Sequence, residues 1–438
     1  MSNVKIALDG PGGAGKSSVA KAVAARLGIV YVDTGAMYRT IGLYVKNNGI
    51  DPEDGEAVAA CLSEITLRLS VDGGRQTLFL NGEAVGDEIR TSEISMYASR
   101  VSAIPAVREF LLSTQRRVAE EATVIMDGRD IGTVIFPDAE VKIFLTASPE
   151  ARARRRYEEL LAKGQDVCYE DVLNQMNERD HNDSTREIAP LRPAEDAVIL
   201  DTSELDFNAS VASVMDIIRE KTAPKAPKMS RPYRFLHRIA AGLIRFLLRI
   251  KISGKENVPR DGGYVVCSNH ISLIDVFTLG ASFPRQLRFL AKRELFKVPV
   301  LAPVIRSLGA VSVDRGGSDV GALKRSIAIA RGGELFALFP QGHRYPKVNP
   351  ADTPIKSGVG MVAYRAGVGV IPVCIQIKKQ KYRIFRRVNV IIGKPLGWRE
   401  LGFVNGGNEE YVRAAEVAFS TVCRLGGYEP TEAKEPNA

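Results

Sequence analysis

The chain has 438 residues, 45% hydrophobic and 25% charged. That composition supports buried cores and excludes a wholly disordered or fibrous protein, and at ~150 residues per domain the length points to two or three units. The net charge of +9 hides an asymmetry: residues 1–222 hold 25 Lys and Arg against 36 Asp and Glu (−11), and residues 223–438 hold 35 against 15 (+20). Halves of opposite sign imply different partners, the basic one suiting nucleic acid, an anionic membrane or anionic substrates. The five cysteines show no CxxC or Cys/His metal spacing, which reads as reduced cytosolic thiols. Lys5 and Asp9 fall inside the first strand-like run, so no secretory signal is expected.

The opening string VKIALDGPGGAGKSSVAKAVAARLG predicts a short strand, a glycine-rich turn and an Ala/Val-rich helix closed by Gly28. Gly10, Gly15, Lys16 and Ser17 fit GxxxxGK[ST] in the strand–loop–helix context that the motif requires. The candidate ATP-phosphate site is therefore Gly10, Pro11, Gly12, Gly13, Ala14, Gly15, Lys16, Ser17 and Ser18. Bare backbone N–H groups at a helix N-terminus make an anion cradle. Lys16 would reach the β/γ-phosphates and Ser17 would take Mg²⁺. A glycine-rich turn with an incidental lysine is the lesser alternative.

Strand-like runs recur at 29–33, 123–127, 141–145 and 197–201 between helical patterns, which predicts a parallel α/β sheet with its chemistry at the strands' C-terminal ends. There stand VDTGAMYR and IMDGRDIGT. Next, SPEARARRRYEELLAKG predicts a helix with Ser148 as N-cap, Pro149 in its first turn and Gly164 as stop. Arg152, Arg155 and Arg156 share one face. They are either a solvated face paired to Glu158 and Glu159, or a lid that closes on transferring phosphates.

Here a resemblance becomes specific. Through GPGGAGKSS, DTGAMYR, EIRTSEIS, ASRVSAIPAVRE, DGRDIGTVIFPDA and NERDHNDSTREIAPL, residues 4 to about 220 resemble bacterial cytidylate kinase almost end to end. The resemblance implies a P-loop nucleoside monophosphate kinase fold: a parallel sheet with helices on both faces, an Arg-rich lid, and a monophosphate-binding insert at 65–85. It implies transfer from MgATP to CMP or dCMP, with Lys16, Arg129 and Arg186 catalytic. Ser99, Arg108 and Asp130 would read the cytosine edge, where a carboxylate suits the N4 amino group. Asp183 and Arg179 would hold the ribose, and Arg39, Arg129 and Arg186 the acceptor phosphate. Thr34 and Tyr38 join the CMP-binding candidates. Asp127 is a second candidate near the metal, or else a strand-end helix cap.

KTAPKAPKMSRP (221–232) is rich in Lys, Pro and Ala without apolar period. The organisation expected is a first domain at 1–222, a linker at 223–232, a second domain at 233–428 and a disordered tail at 429–438. The second domain opens on RFLHRIAAGLIRFLLRIKI, Arg234 to Ile252. On a helical wheel Arg231, Arg234, Arg238, Arg245 and Arg249 share one stripe, and apolar residues such as Phe246 and Leu247 fill most of the rest. Uncharged runs never exceed six residues, too few to span a bilayer. Either it is a core-packing helix with a solvated stripe, or it lies on an anionic membrane. No recognisable nucleic-acid-binding fold is present.

VVCSNHISLIDVF places Asp275 five residues after His270. A carboxylate on one ring nitrogen fixes the tautomer and lets the other take a proton from a hydroxyl. Ser272-x-x-Asp275 is also capping-box-like, so Asp275 could serve a helix end alone. With GAVSVDR, FPQGHR, PIKSGVGMVAYRAG and VIPV behind it, residues 250–400 resemble the 1-acyl-glycerol-3-phosphate acyltransferases. That implies a second α/β domain, His270 as general base and Asp275 as its orienter. Arg315, Gln341, Gly342, Arg344 and Lys356 would receive the phosphate of lysophosphatidic acid, and Pro372 would shape the acyl-donor side. The donor implied is acyl-CoA or an acyl carrier protein thioester. Where the family reads FPEGTR this chain reads FPQGHR, with Gln341 and His343. A kinase with an inactive membrane-binding module, or an acyltransferase for another lysophospholipid, therefore stand as alternatives. The location expected is cytoplasmic, peripheral to the inner face of the cell membrane.

Overall fold

Four of the five residues of KIALD are buried in β1 (Lys5–Asp9), whose end is drawn into the glycine-rich turn. The computed structural model describes residues 3–72, 75–228, 231–299, 302, 305, 310–313 and 320–431. Its chain divides into two units, Met1–Lys221 and Thr222–Ala438.

In the first unit there follow α1 (Lys16–Leu27), β2 (Val30–Asp33), α2 (Thr34–Asn47), α3 (Gly55–Cys61), β3 (Leu67–Asp72), β4 (Arg75–Leu80), β5 (Glu83–Ala84), α4 (Ser92–Val101), α5 (Pro105–Glu121), β6 (Val124–Gly128), β7 (Val141–Thr146), α6 (Pro149–Ala162), α7 (Tyr169–Thr185), β8 (Val198–Asp201) and α8 (Phe207–Lys221). The sheet runs β2-β6-β1-β7-β8, every pairing parallel. The ends of β1, β2 and β6 therefore meet on one side. Helix boundaries follow local chemistry. Gly28 closes α1 in the left-handed region with its N–H on Ala24 O, and Asp33 caps α2 by accepting from Ala36 N. Ser148 caps α6, with Pro149 at the first helical position. The 65–85 insert is a small antiparallel sheet, β3-β4-β5. Its second turn has Asn81 and Gly82 both at positive φ, as a tight hairpin demands. Gln76 Oε1 accepts from Asp33 N at 2.7 Å and ties the insert to the start of α2. Val107, Leu111, Val124, Met126, Met37 and Ile41 are buried together in one core cluster of this unit, each contributing roughly 1.5–3 kcal/mol by burial.

The second unit contains α9 (Arg231–Leu247), β9 (Ile250–Ser253), β10 (Tyr264–Ser268), α10 (Ile274–Ser282), β11 (Leu287–Lys292), β12 (Val311–Val313), α11 (Val320–Arg331), β13 (Leu335–Leu338), α12 (Gly358–Ala366), β14 (Gly369–Ile377), β15 (Val388–Ile392), α13 (Trp398–Leu401) and α14 (Asn408–Leu425). Its sheet order is β12-β11-β13-β10-β14-β15-β9. Pairing is parallel except between β14 and β15. The buried run VVCS puts β10 between β13 and β14, with Cys267 opposite both Leu338 and Pro372.

Three expectations need correction. The amphipathic helix does not reach Ile252: α9 stops at Leu247, Arg249 has φ +43°, and Ile250–Ser253 pairs with β15 as an edge strand. The alternation Ile250-Lys251-Ile252 obeys the strand period of two. The stretch taken as a linker is helical from Arg231, and upstream of that Pro224 O accepts from Gly262 N while Ala226 N donates to Asp261. The expected tail is bonded at its start, through Glu429 O to Asn349 and Thr431 to Asp352; residues 432–438 lie outside the described residues.

α9 also divides the two readings offered for it. On one side His237 Nε2 meets Gly280 O at 2.9 Å and Arg245 Nε donates to Ala281 O at 2.6 Å, both at the C-terminal end of α10, where a cation complements the helix dipole. On the other, Ile239, Leu243 and Phe246 are exposed, as are Arg234 and Arg238. The side chain of Arg231 lies outside the described residues. No helix among the described residues is long and apolar enough to cross a membrane.

Candidate active sites

The glycine-rich loop of the first unit is sterically committed. A Cβ at Gly10, whose φ is +148°, would stand 2.0 Å from Leu145 O, and one at Gly13 would meet Met176 and Arg152. Lys16 folds back over the loop, its Nζ donating to Pro11 O at 2.8 Å. Burial, and then the neighbouring Arg129 charge, hold its pKa well below the ordinary lysine value, which an arriving anion would reverse. Ser17 Oγ and Tyr31 OH both donate to Asp127, at 2.7 and 2.9 Å. Asp127 is not a helix cap through its carboxylate; its carbonyl accepts from Thr34 Oγ1 at 2.7 Å. Burial, then the Asp33 charge, push the Asp127 carboxyl up. A hydroxyl and a buried, destabilised carboxylate side by side would suit a divalent cation.

Beside the loop opens a cleft of about 330 Å³. All ten of the CMP-binding candidates line it: Thr34, Tyr38, Arg39, Ser99, Arg108, Arg129, Asp130, Arg179, Asp183 and Arg186. Six cations, counting Lys16, face four carboxylates, counting Asp33 and Asp127, an excess that suits an anionic guest. Arg108 is paired with Asp130, and Arg186 Nη2 stands 3.9 Å from the same carboxylate. Burial pushes the Asp130 carboxyl up, against the pull of Arg108 and Arg186. Arg129 Nε donates to Asp183 at 2.8 Å. Burial alone would raise Asp183, but Arg129, Arg179 and Arg186 together hold it below the usual range. Arg39 Nη2 binds Asp33 at 3.0 Å. Two donors are left over: Arg39 Nε and Arg186 Nη2 are buried with no hydrogen-bond partner among the described residues. Buried donors without acceptors carry a penalty of ~1–3 kcal/mol each, which a bound phosphate would relieve.

The arginine trio does not act as one face. Arg152 is buried and donates to Gly12 O at 2.9 Å, with Asp180 at 2.6 Å. Arg155 is held by the carbonyls of Thr202 and Leu205, and Arg156 by Glu159 one turn on. Common helical spacing sets direction, but side chains this long take whatever acceptor lies within reach. Sequence reasoning passed over Asp33, Asp180 and Asp9. Asp33 precedes the first residue of α2, the N-cap position, which was a legible signal. Asp9 accepts from Ile131 N and Gly132 N, both at 2.7 Å, and so fixes the turn after Asp130.

In the second unit His270 follows the end of β10. Its Nδ1 meets Asp275 Oδ2 at 2.8 Å. The same oxygen accepts from Ile271 N at 2.6 Å and Ser272 N at 2.8 Å, and Oδ1 accepts from Tyr382 OH at 2.8 Å. Asp275 thus serves both the histidine and the start of α10. With an acceptor-only carboxylate at Nδ1, that nitrogen carries the proton and Nε2 presents its lone pair. The ring stacks on Phe339 at 4.0 Å. Asn269 locks the strand end by exchanging two hydrogen bonds with Ile375.

Because β10 and β13 lie parallel in register, their ends place His270 beside Gln341. Gln341 is buried, accepting from His270 N at 2.6 Å and donating from Nε2 to Thr353 Oγ1 at 2.8 Å. Gly342, at φ +70°, has the Lys356 side chain against it. Arg344 and His343 are exposed on the same turn. Pro372 is buried in β14 against Gly393. Arg315 lies outside the described residues. Phe339 opens the FPQGHR block but was assigned no role from the sequence, and Tyr382 carried no sequence signal, since it belongs to no spaced motif with His270.

Residues 6–220 match the family model for cytidylate kinase, and residues 249–376 match that for acyltransferase. Cytidylate kinase of Fervidobacterium nodosum is 49% identical over 217 residues, covering 50% of this chain and 97% of that protein. Cytidylate kinase of Caldanaerobacter subterraneus subsp. tengcongensis is 52% identical over 219 residues, covering 50% and 96%. Among solved structures, the 1-acyl-sn-glycerophosphate (LPA) acyltransferase PlsC of Thermotoga maritima shares 26% identity at a TM-score of 0.36, covering 46% of this chain and 86% of its own. The chain belongs to the cytidylate kinase family through residues 6–220, and carries after that kinase a second unit with an acyltransferase domain at 249–376.

Proposed function

We propose that this is a two-enzyme chain in which the kinase unit phosphorylates CMP or dCMP from ATP and the second unit acylates lysophosphatidic acid to phosphatidic acid. For the kinase, the observation that carries the residue roles is the pair of unpartnered buried donors, Arg39 Nε and Arg186 Nη2, in the cleft between the glycine-rich loop and Asp130. The acceptor phosphate takes those donors, with Arg129. The cytosine edge exchanges hydrogen bonds with Asp130 and Arg108, whose present pairing keeps both polarised and in place, and with Ser99. The ribose goes to Asp183 and Arg179. Nucleotide phosphates would draw Lys16 off Pro11 O, and Ser17 and Asp127 would hold a Mg²⁺ accompanying ATP, whose chemistry is to neutralise phosphate charge. Transfer then rests on alignment and charge compensation.

For the second unit the carrying observation is the His270–Asp275 pair, which engages Nδ1 and leaves Nε2 to accept a proton. Nε2 takes the proton of the acceptor's hydroxyl as its oxygen attacks the donor's thioester carbon. The C–S bond breaks, and the leaving thiolate takes the proton back from the imidazolium. No acyl-enzyme is required. Gln341, though neutral where the family has glutamate, supports activity because both ends of its amide are used: it holds His270 N and Thr353. Lys356, Arg344 and Arg315 supply charge for the acceptor's phosphate. The donor is acyl-CoA or an acyl carrier protein. The chain is cytoplasmic and rests on the inner face of the cell membrane through α9, whose exposed Ile239, Leu243 and Phe246 are accompanied by Arg234 and Arg238.

The experiment is phosphatidic acid formation from lysophosphatidic acid by purified full-length protein, with each donor tried separately and His270→Ala as control. Product that disappears in the variant is expected. No product with either donor, from protein still phosphorylating CMP, overturns the acyltransferase reading for this acceptor.

A further inference from the structure

The segment joining β14 to β15 is KKQKYRIFRR, residues 378–387, with six basic side chains and no acidic one; the whole run 353–399 contains no Asp or Glu. At its tip Ile384 and Phe385 are exposed, at 67% and 55%. Antiparallel strands need no more than a short turn here, and two large apolar side chains at the tip of a hairpin loop are not explained by folding. Around them Lys378, Lys379, Lys381, Arg383 and Arg387 are exposed as well.

This loop is fused to α9. Phe385 N donates to Leu247 O at 2.6 Å, and the Phe385 and Phe246 rings meet edge to face at 5.8 Å. Phe246 remains 67% exposed even so. The contact brings Phe246 and Phe385 together from segments far apart in sequence, and Leu243, one turn before Phe246, and Ile384, next to Phe385, are exposed as well. Its second component has the same charge: no Asp or Glu occurs between Lys221 and Lys255.

We propose that loop 378–387 is a second bilayer-contacting element, which inserts Ile384 and Phe385 beside α9 while its lysines and arginines meet anionic headgroups. The inference rests on the lipid-acceptor reading of this unit and deepens it. An apolar centre inside a basic rim without carboxylates fits an anionic lipid surface, where each cation adds to binding and the apolar tip enters the acyl boundary. An acidic protein would match the charge but leave the exposed Ile384 and Phe246 without a reason. The loop also carries Tyr382, two residues before Ile384, with its hydroxyl on Asp275. Docking this loop therefore brings the His270–Asp275 pair to the interface that holds the acceptor.

The test is sedimentation of the full-length chain with vesicles of phosphatidylglycerol and phosphatidylcholine, against phosphatidylcholine alone, at two salt concentrations. Wild type is expected to partition to the anionic vesicles and to weaken with salt. An Ile384→Asp, Phe385→Asp variant, and separately a Lys378→Gln, Lys379→Gln, Arg383→Gln, Arg387→Gln variant, are expected to partition at least about ten-fold less. The single tryptophan, Trp398, is buried against Tyr364 in this unit, so unchanged emission verifies the fold of each variant. If both loop variants bind as wild type while Leu243→Asp, Phe246→Asp detaches, the loop proposal fails and α9 docking stands. If wild type ignores anionic vesicles, both fail. If the loop variants keep vesicle binding and lose only capture of an acidic acyl carrier protein, the patch belongs to a protein and the proposal is overturned.

Discussion

Replacing Asp275 by Asn and by Ala separates what this side chain does for the fold from what it does for chemistry. Its carboxylate receives four donors: His270 Nδ1, Ile271 N, Ser272 N and Tyr382 OH. Asp275→Ala strands two backbone N–H groups, that of buried Ile271 and that of half-buried Ser272. At ~1–3 kcal/mol per unpaired donor, the loss is about 2–6 kcal/mol, or roughly 4–24 °C in the melting temperature of a unit this size. Asp275→Asn keeps one oxygen where Oδ2 sat, so those two N–H groups stay paired and the stability loss is about 1–2 kcal/mol. Both variants lose the negative charge that stabilises the imidazolium. A drop of about 10²–10⁴ in acyl transfer is therefore expected for each, equivalent to ~3–5 kcal/mol in the barrier. Urea unfolding read from Trp398 emission gives the first quantity, initial acylation rates the second, and CMP phosphorylation serves as an internal control. An Asn variant that keeps more than a tenth of the wild-type acylation rate refutes the charge argument. An Ala variant as stable as wild type refutes the capping argument.

Three further outcomes follow from particular contacts. Arg186→Ala is expected to lower kcat for CMP by about 10²–10³ with ATP affinity nearly unchanged, as for loss of one charge-stabilising donor; unchanged turnover at saturating CMP removes that role. Tyr382→Phe deletes one of the four donors to Asp275 and is expected to slow acylation about three- to ten-fold while moving the unfolding midpoint by no more than ~1 kcal/mol; an unaltered rate shows that the tyrosine only packs. The Asp9 carboxyl is raised to about 6, by burial first and against its two backbone hydrogen bonds. Because the folded value exceeds the unfolded ~3.9, the stabilisation from its bound proton is present in full below the unfolded value and is lost as pH rises through about 6. Scanning calorimetry from pH 4 to 7 should show a flatter stability profile for the kinase unit in Asp9→Asn than in wild type, and parallel profiles contradict the assignment.

What was legible in the sequence was local. The glycine-rich turn, the strand runs near 29–33, 123–127, 141–145 and 197–201, and the caps Ser148 and Gly28 depend on backbone geometry and hydrogen bonds within a few residues. The five-residue spacing of His270 and Asp275 likewise suffices for their contact, because one turn at the start of α10 spans it. The motif resemblances extended this to ten residues that the fold gathers into one cleft.

Other features were decided only by tertiary structure. Gln341 holds His270 N because β10 and β13 are parallel and in register, and Tyr382 reaches Asp275 because the loop after β14 folds back over α10. No pattern within either segment encodes a partner so distant along the chain. Arg152, Arg155 and Arg156 share a helical face in the sequence yet take three different partners, because the acceptors within reach of each arginine were set by how α6 packs. The helix read as running to Ile252 ends at Leu247 because Ile250–Ser253 finds an open edge at β15. Helical and strand periods compete over so short a stretch, and the sheet's unpaired hydrogen bonds decide between them. Sequence determined the chemistry each segment could offer, and packing determined which of those groups meet.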